Sequence, residues 1–186
     1  MKTLELAKSR KTVRQFKETS VPLDLVKKAV EVATQAPSGA NYQGWHFLLI
    51  KDQELKKRVR LASEKGEKEF YKNVSGDWRE WLDESKINWK KPYLEEAPLL
   101  VIILARNDVP YSLESVWLAT GYMLLALEEL GLGTVTYTPS DLKLVEDELP
   151  LPDGYRLEAI LPIGYTDDDK PKKNRENLEN LIEIIK

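Results

Sequence analysis

Apolar residues recur along this chain with two periods, and the alternation between them predicts a layered domain of helices and strands. After Ser20 and Pro22, the residues Leu25, Val26, Ala29, Val30, Ala33 and Ala36 fall at helical spacing, with Lys27, Lys28 and Glu31 opposite, until Pro37-Ser38-Gly39 stops the pattern. A short helical stretch at Leu4–Lys8 precedes it, and a Lys/Glu-rich helix is expected over Asp52–Lys65. Strands are expected at His46–Ile50, Leu99–Ala105, Gly133–Tyr137 and Leu157–Ile163. The run LLVIILA at 99–105 is continuously apolar, the pattern of a central strand covered on both faces. Ser115–Leu130 is apolar nearly all round, so this helix is expected to be deeply buried, in the core, in a subunit interface or in both, with Gly131 as its C-cap. Asn174–Lys186 reads as a terminal amphipathic helix. Helices interleaved with strands in this way give an α+β or α/β layered domain.

Composition narrows the function classes. A length of 186 residues suits a single domain, 1–186, with a core of ordinary size. A net charge of −3, with lysines dispersed among glutamates, gives no general case for nucleic-acid binding. The absence of cysteine excludes disulfides, thiol nucleophiles and thiolate metal sites, and a single histidine makes a built-in metal centre an unfavoured reading. The N-terminal MKTLELAKSRKTVRQF lacks an apolar signal region, and no run approaches a membrane span, so the expectation is a cytoplasmic protein with no membrane partner.

One stretch resists the simple pattern. DWREWLDESKINWKKPY, at 77–93, sets three tryptophans among charged residues. Phe70, Val74, Trp78, Trp81, Leu82, Ser85 and Trp89 follow helical steps and make one apolar face, broken near Ser75-Gly76. That face packs on the domain or a partner, or else it is the underside of a lid spanning about 65–93, long and charged enough to order only on closure.

Four further segments carry candidate chemistry. Arg10-Lys11-Thr12-Val13-Arg14 groups three cations and a hydroxyl, donors suited to a phosphate, although a solvated basic loop is the commoner explanation of such a cluster alone. APSGANYQGWHF, at 36–47, offers the Ser38 hydroxyl, bare backbone at Gly39 and Ala40, and the amides of Asn41 and Gln43, which match the edges of a heterocycle. LGLGTVTYTP, at 130–139, pairs two glycines with Thr136 and Thr138, but lacks the strand–GxGxxG–helix context of a dinucleotide site. Arg175 opens the last segment and by itself is an ordinary surface arginine.

In this order and spacing the four segments resemble the nitroreductase superfamily of FMN proteins, over nearly the whole chain. The resemblance implies an α+β domain with a central, mostly antiparallel sheet flanked by helices, assembled as an intertwined homodimer with FMN at the subunit interface. It implies that Arg10, Lys11, Thr12 and Arg175 hold the FMN phosphate and that Arg14 lies beside the flavin. Pro37, Ser38, Gly39, Asn41, Thr136, Tyr137 and Thr138 would contact the cofactor. Lys11 stands where arginine is more usual, and Gly44 replaces the usual proline before Trp45.

The 65–93 segment resembles one group in particular, the iodotyrosine deiodinases, through Glu67, Tyr71 and NWKKPYLEEAP at 88–98. Glu67 and Tyr71 are spaced i, i+4 and share a helix face. By resemblance Glu67 takes a substrate ammonium, Tyr71 and Lys91 its carboxylate, and the Ala40 backbone N–H the phenolate. Thr138 would donate to flavin N5 and favour single-electron over hydride transfer. Tyr137 stands where that group tends to have a third threonine. The implied activity is FMN-dependent reductive dehalogenation of halotyrosines, with 3-iodo-L-tyrosine as the reference substrate and the electron donor open. The rivals are an NAD(P)H-dependent nitro- or quinone reductase, in which Glu67 and Lys91 are surface charges, and a non-catalytic flavin-binding protein whose lid docks a partner.

Overall fold

The structure, a computed structural model, describes residues 2–166 and 168–185. Its elements follow the chain as α1 (Thr3–Ser9), α2 (Leu23–Thr34), β1 (Trp45–Ile50), α3 (Gln53–Asn73), α4 (Asp77–Glu84), α5 (Tyr93–Glu96), β2 (Leu99–Arg106), α6 (Ser112–Glu129), β3 (Gly133–Thr134), α7 (Leu142–Glu146) and β4 (Tyr155–Gly164). The strands form one antiparallel sheet in the order β1-β2-β4-β3.

β2 organises the interior. Successive side chains of a strand face opposite ways, and here both directions are apolar. Leu99, Val101, Ile103 and Ala105 pack into a core with α2 and α6, whereas Leu100, Ile102 and Leu104 pack into a second core that includes Val59 of α3, Tyr93 and Leu94 of α5 and Val145 of α7. The result is helix, sheet and helix in three layers, with residues 99–105 of β2 buried as their apolar run predicts. Among the described residues no helix is long and apolar enough to cross a membrane.

Several expected boundaries move, for identifiable reasons. The Asp52 carboxylate caps α3, accepting from Leu55 N–H at 2.7 Å, and the helix passes Lys65 to end at Asn73. Gly66 permits this course close to α7: a Cβ there would lie 2.9 Å from the Asp141 Cβ, so any side chain would push the two elements apart. The strand expected over 133–137 is two residues long. Thr134 pairs with Ile163 and Tyr137 with Ile160, a single register in which Val135 faces Pro162. Proline has no N–H to return, so the ladder lapses there and resumes only as the Tyr137–Ile160 bridge.

Within one chain α6 buries one side in the core and leaves the other exposed. Ser115, Val116, Ala119, Met123 and Leu127 are buried, while Leu113, Trp117, Leu118 and Tyr122 are exposed on the opposite side. The terminal helix expected over Asn174–Lys186 is not formed. Through residue 185 the only regular element is a 3-10 turn at Leu178–Asn180, with Leu178, Leu181, Ile182, Ile184 and Ile185 exposed; Lys186 lies outside the described residues. An amphipathic segment this short is marginal as a helix without a surface to bury its apolar side, and here those side chains stay exposed.

The tryptophans of 77–93 also depart from the expected underside. Trp78 and Trp81 are exposed and stacked on each other, with ring centroids 5.2 Å apart and 11° between planes. Leu82 alone anchors α4 in the interior. Lys173 lies over the Trp81 ring at 5.0 Å and donates to Ser85 Oγ at 3.0 Å, which ties α4 to the C-terminal segment.

Candidate active site

The first constellation is built by α3 and the turn before α5. Glu67 and Lys91 are both buried, and their charged atoms, Oε2 and Nζ, lie 3.2 Å apart. Nζ also donates to the Asn88 carbonyl at 2.5 Å. Tyr71, one helical turn beyond Glu67, sets its ring 5.2 Å from that ammonium. The backbone beneath is fixed by a chain of charges: Lys91 N–H donates to Glu64 Oε1 at 2.9 Å, and Arg60 bridges Glu64 at 2.8 Å and Glu95 at 2.6 Å. The residues expected to meet a zwitterion thus converge, already paired with one another.

Electrostatics follows from burial. Desolvation lowers the Lys91 pKa, and the neighbouring Glu67 opposes that shift. Desolvation raises the phenols of Tyr71, Tyr93 and Tyr137, with Glu67 adding to each rise, so all three stay neutral and able to donate. The Arg14 charge acts on Tyr71, Lys91 and Tyr93, so the last residue of the basic cluster bears electrostatically on this site.

The second constellation is cationic. Burial lowers the Lys172 pKa, and the charges of Arg175 and Arg10 lower it further, against a raising effect of Glu128. Arg10, Lys172 and Arg175 thus bear on one another electrostatically, and their side chains are of the type that donates to a phosphate dianion, as FMN would require. Lys172 was missed in the sequence because KPKK reads as a solvated run. Its Nζ donates to the carbonyls of Ala7 and Lys8 at the end of α1, which carries it to Arg10.

Lys11 reaches the C-terminal segment. Its ammonium donates to the carbonyls of Asp168 and Lys170, at 2.6 and 2.8 Å, and so fastens that segment to the basic cluster. Asp168 was missed too, in an acidic run that looked like surface. It is buried, accepts from Arg14 N–H at 3.1 Å through Oδ2 and from Lys170 N–H at 3.1 Å through Oδ1, and holds the basic cluster to 168–170. Thr12 forms a parallel bridge with Thr134, which joins the same cluster to β3.

The third element is the 37–43 loop. Ala40, Asn41 and Gln43 all have positive φ (47°, 56° and 50°), an uncommon concentration for residues with a Cβ. Ser38 Oγ accepts from Gln43 N–H at 3.1 Å, and Gly39 N–H donates to Ser115 Oγ at 3.1 Å. A Cβ at Gly39 would fall 2.4 Å from the Tyr111 side chain, so only glycine lets the loop lie on the start of α6. Pro37, Ala40 and Asn41 are exposed there. Thr138 is exposed and Thr136 half-buried in the segment that follows β3, whereas both backbone groups and the hydroxyl of Tyr137 are engaged, with Ile160 and Glu67.

Residues 7–165 match the Nitroreductase family. The chain belongs to the nitroreductase family. Among curated nitroreductase relatives it is 53% identical over 171 residues to an iodotyrosine deiodinase of Thermotoga neapolitana, covering 92% of each chain. It is 36% identical over 167 residues to an iodotyrosine deiodinase of Haliscomenobacter hydrossis, covering 84% of this chain and 75% of that one. Among solved nitroreductase-fold structures, an oxidized iodotyrosine deiodinase bound to FMN and 3-iodo-L-tyrosine superposes with a TM-score of 0.93 at 51% identity, covering 95% of this chain and 96% of that one.

Proposed function

We propose that this chain binds FMN as a homodimer and reductively dehalogenates halotyrosines. The observation that carries the reading is the buried Glu67–Lys91 pair beside Tyr71. Opposite charges are held side by side out of water, an arrangement that serves an amino-acid zwitterion and that a nitroaromatic or quinone does not require. Docking exchanges the internal pair for two external ones: Glu67 takes the ammonium, while Lys91 and the neutral Tyr71 take the carboxylate. The 65–93 segment acts as the lid that excludes water over the aromatic ring.

Arg10, Lys172 and Arg175 would hold the FMN phosphate, Arg14 would neutralise charge gained by the ring, and Thr138 would donate a hydrogen bond to it. When bound and reduced, FMN supplies the two electrons that, with one proton, convert the aryl halide to a C–H bond and free halide. The Ala40 backbone N–H would hold the substrate phenolate. Within one chain the loop bearing Ala40 is fastened to α6, on the opposite side of the sheet from α3 and Glu67. A site that unites both groups therefore calls for a second copy.

The test is anaerobic incubation of dithionite-reduced holoprotein with 3-iodo-L-tyrosine, which should yield tyrosine and iodide. Unchanged iodotyrosine, together with rapid NADPH-dependent turnover of a nitroaromatic, would overturn the proposal.

A pH dependence follows from Lys91. Its lowered pKa means the ammonium is lost at a pH below the ordinary lysine range, so halotyrosine affinity should fall in that alkaline window. Tyr71 remains neutral there. The substrate's own ionisations are common to all variants, so the check is Lys91→Arg: its guanidinium stays charged, and the fall attributable to residue 91 should disappear from the difference between the two profiles.

A further inference from the structure

We infer that Tyr137 is a positioning residue: its hydroxyl and the Ser140 backbone N–H hold one oxygen of Glu67, leaving the other to face a ligand ammonium. The inference rests on the halotyrosine reading above. It starts from strand geometry. Side chains at 136 and 138 leave the backbone on one side and that at 137 on the other. Thr138 is exposed, whereas Tyr137 is buried and directed toward α3.

The anchoring is firm at both ends. Where the ladder has lapsed opposite Pro162, Tyr137 regains β4 through both of its backbone groups, donating to Ile160 O at 3.0 Å and accepting from Ile160 N–H at 2.8 Å. Its ring meets Tyr93 edge-on, at 6.1 Å and 78°. The hydroxyl then donates to Glu67 Oε1 at 3.0 Å, and Ser140 N–H approaches the same oxygen at 3.3 Å. Oε2 faces Lys91 Nζ at 3.2 Å. The two carboxylate oxygens thus have separate duties, one structural and one available for exchange.

This division matters because a glutamate side chain has several rotatable bonds and must otherwise be ordered by the ligand itself, at an entropic cost. Burial raises the Tyr137 phenol pKa, so the O–H remains a donor throughout the range in which Glu67 is needed. A threonine at 137 is too short to span from the strand to α3. Tyr137 thus joins the segment carrying Thr138 to the residue that reads the ammonium.

Tyr137→Phe keeps the ring and removes only the hydroxyl. Flavin fluorescence of the holoprotein is titrated with 3-iodo-L-tyrosine and with its des-amino analogue, 3-(4-hydroxy-3-iodophenyl)propionate. The variant should retain FMN, lose about tenfold in affinity for iodotyrosine and change by less than about twofold toward the analogue, since one hydrogen bond to a charged group is removed. Glu67→Gln should show the same collapse of preference, and the combined variant should add little to either, the mark of two groups acting as a unit. Equal losses for both ligands would make Tyr137 merely structural and overturn the assignment, as would an unchanged preference. Failure of the wild type to bind iodotyrosine would bring down the functional reading as well, a result distinct from failure of the Tyr137 assignment alone.

Discussion

Lys91→Ala should bind FMN as the wild type does and lose most of its affinity for 3-iodo-L-tyrosine. Truncating one member of a buried, hydrogen-bonded charge pair costs about 2–5 kcal/mol, which is roughly 30-fold or more in Kd. Two effects add in the same direction. The substrate carboxylate loses its cation, and Glu67, with Oε2 facing Lys91 at 3.2 Å, is left buried beside a ligand it can satisfy only through the ammonium. FMN is spared because the cationic locus at Arg10, Lys172 and Arg175 is a separate group of residues. The measurements are halotyrosine quenching of flavin fluorescence and a parallel FMN titration of the apoprotein. Equal losses in both would show that the two constellations do not have separate roles.

The second large effect is expected on assembly. Leu113, Trp117, Leu118 and Tyr122 are exposed along one side of α6, with more apolar side chains exposed in the C-terminal segment, a combination that a chain active alone has no reason to display. In the proposed homodimer this side is buried against the second copy, so Trp117→Glu with Leu118→Glu places two unpaired carboxylates in the interface. Each desolvated charge costs several kcal/mol, enough to raise the dimer dissociation constant by about a thousandfold or more. Light scattering should report monomers, and the monomers should lose FMN. Because both positions are exposed in the single chain, far-UV circular dichroism should change little. A double variant that still scatters as a dimer would rule out α6 as the shared face.

The parts of the fold legible in the sequence are those that local pattern decides. The period of 2–3–4 residues placed α2 and the strands, and the unbroken apolar run at 99–105 announced a strand with helices on both faces. Glu67, Tyr71 and Lys91 were legible as a group through the resemblance of their segment to the iodotyrosine deiodinases, helical spacing adding only that the first two share a face; the structure brings the three together. What could not be read depends on partners distant in sequence. The lapse of β3 is caused by Pro162, which becomes relevant to Val135 only once β4 lies beside it. Asp168 and Lys172 sit in a charged run whose composition predicts solvent, yet one is buried under the basic cluster and the other reaches the end of α1. The tail's apolar residues followed a helical pattern, yet they stay exposed and form no helix.

The Glu67–Lys91 pair carries a consequence for how this protein tolerates change. Two desolvated ions attract each other strongly, but removing them from water costs about as much, so a well-packed apolar pair of similar volume is often the more stable choice. A selection for heat resistance alone would therefore tend to erase this pair, and a selection for substrate turnover would restore it. The site is thus a place where robustness and chemistry pull in opposite directions, and where substitutions that raise the melting temperature should be the first to be checked for lost activity.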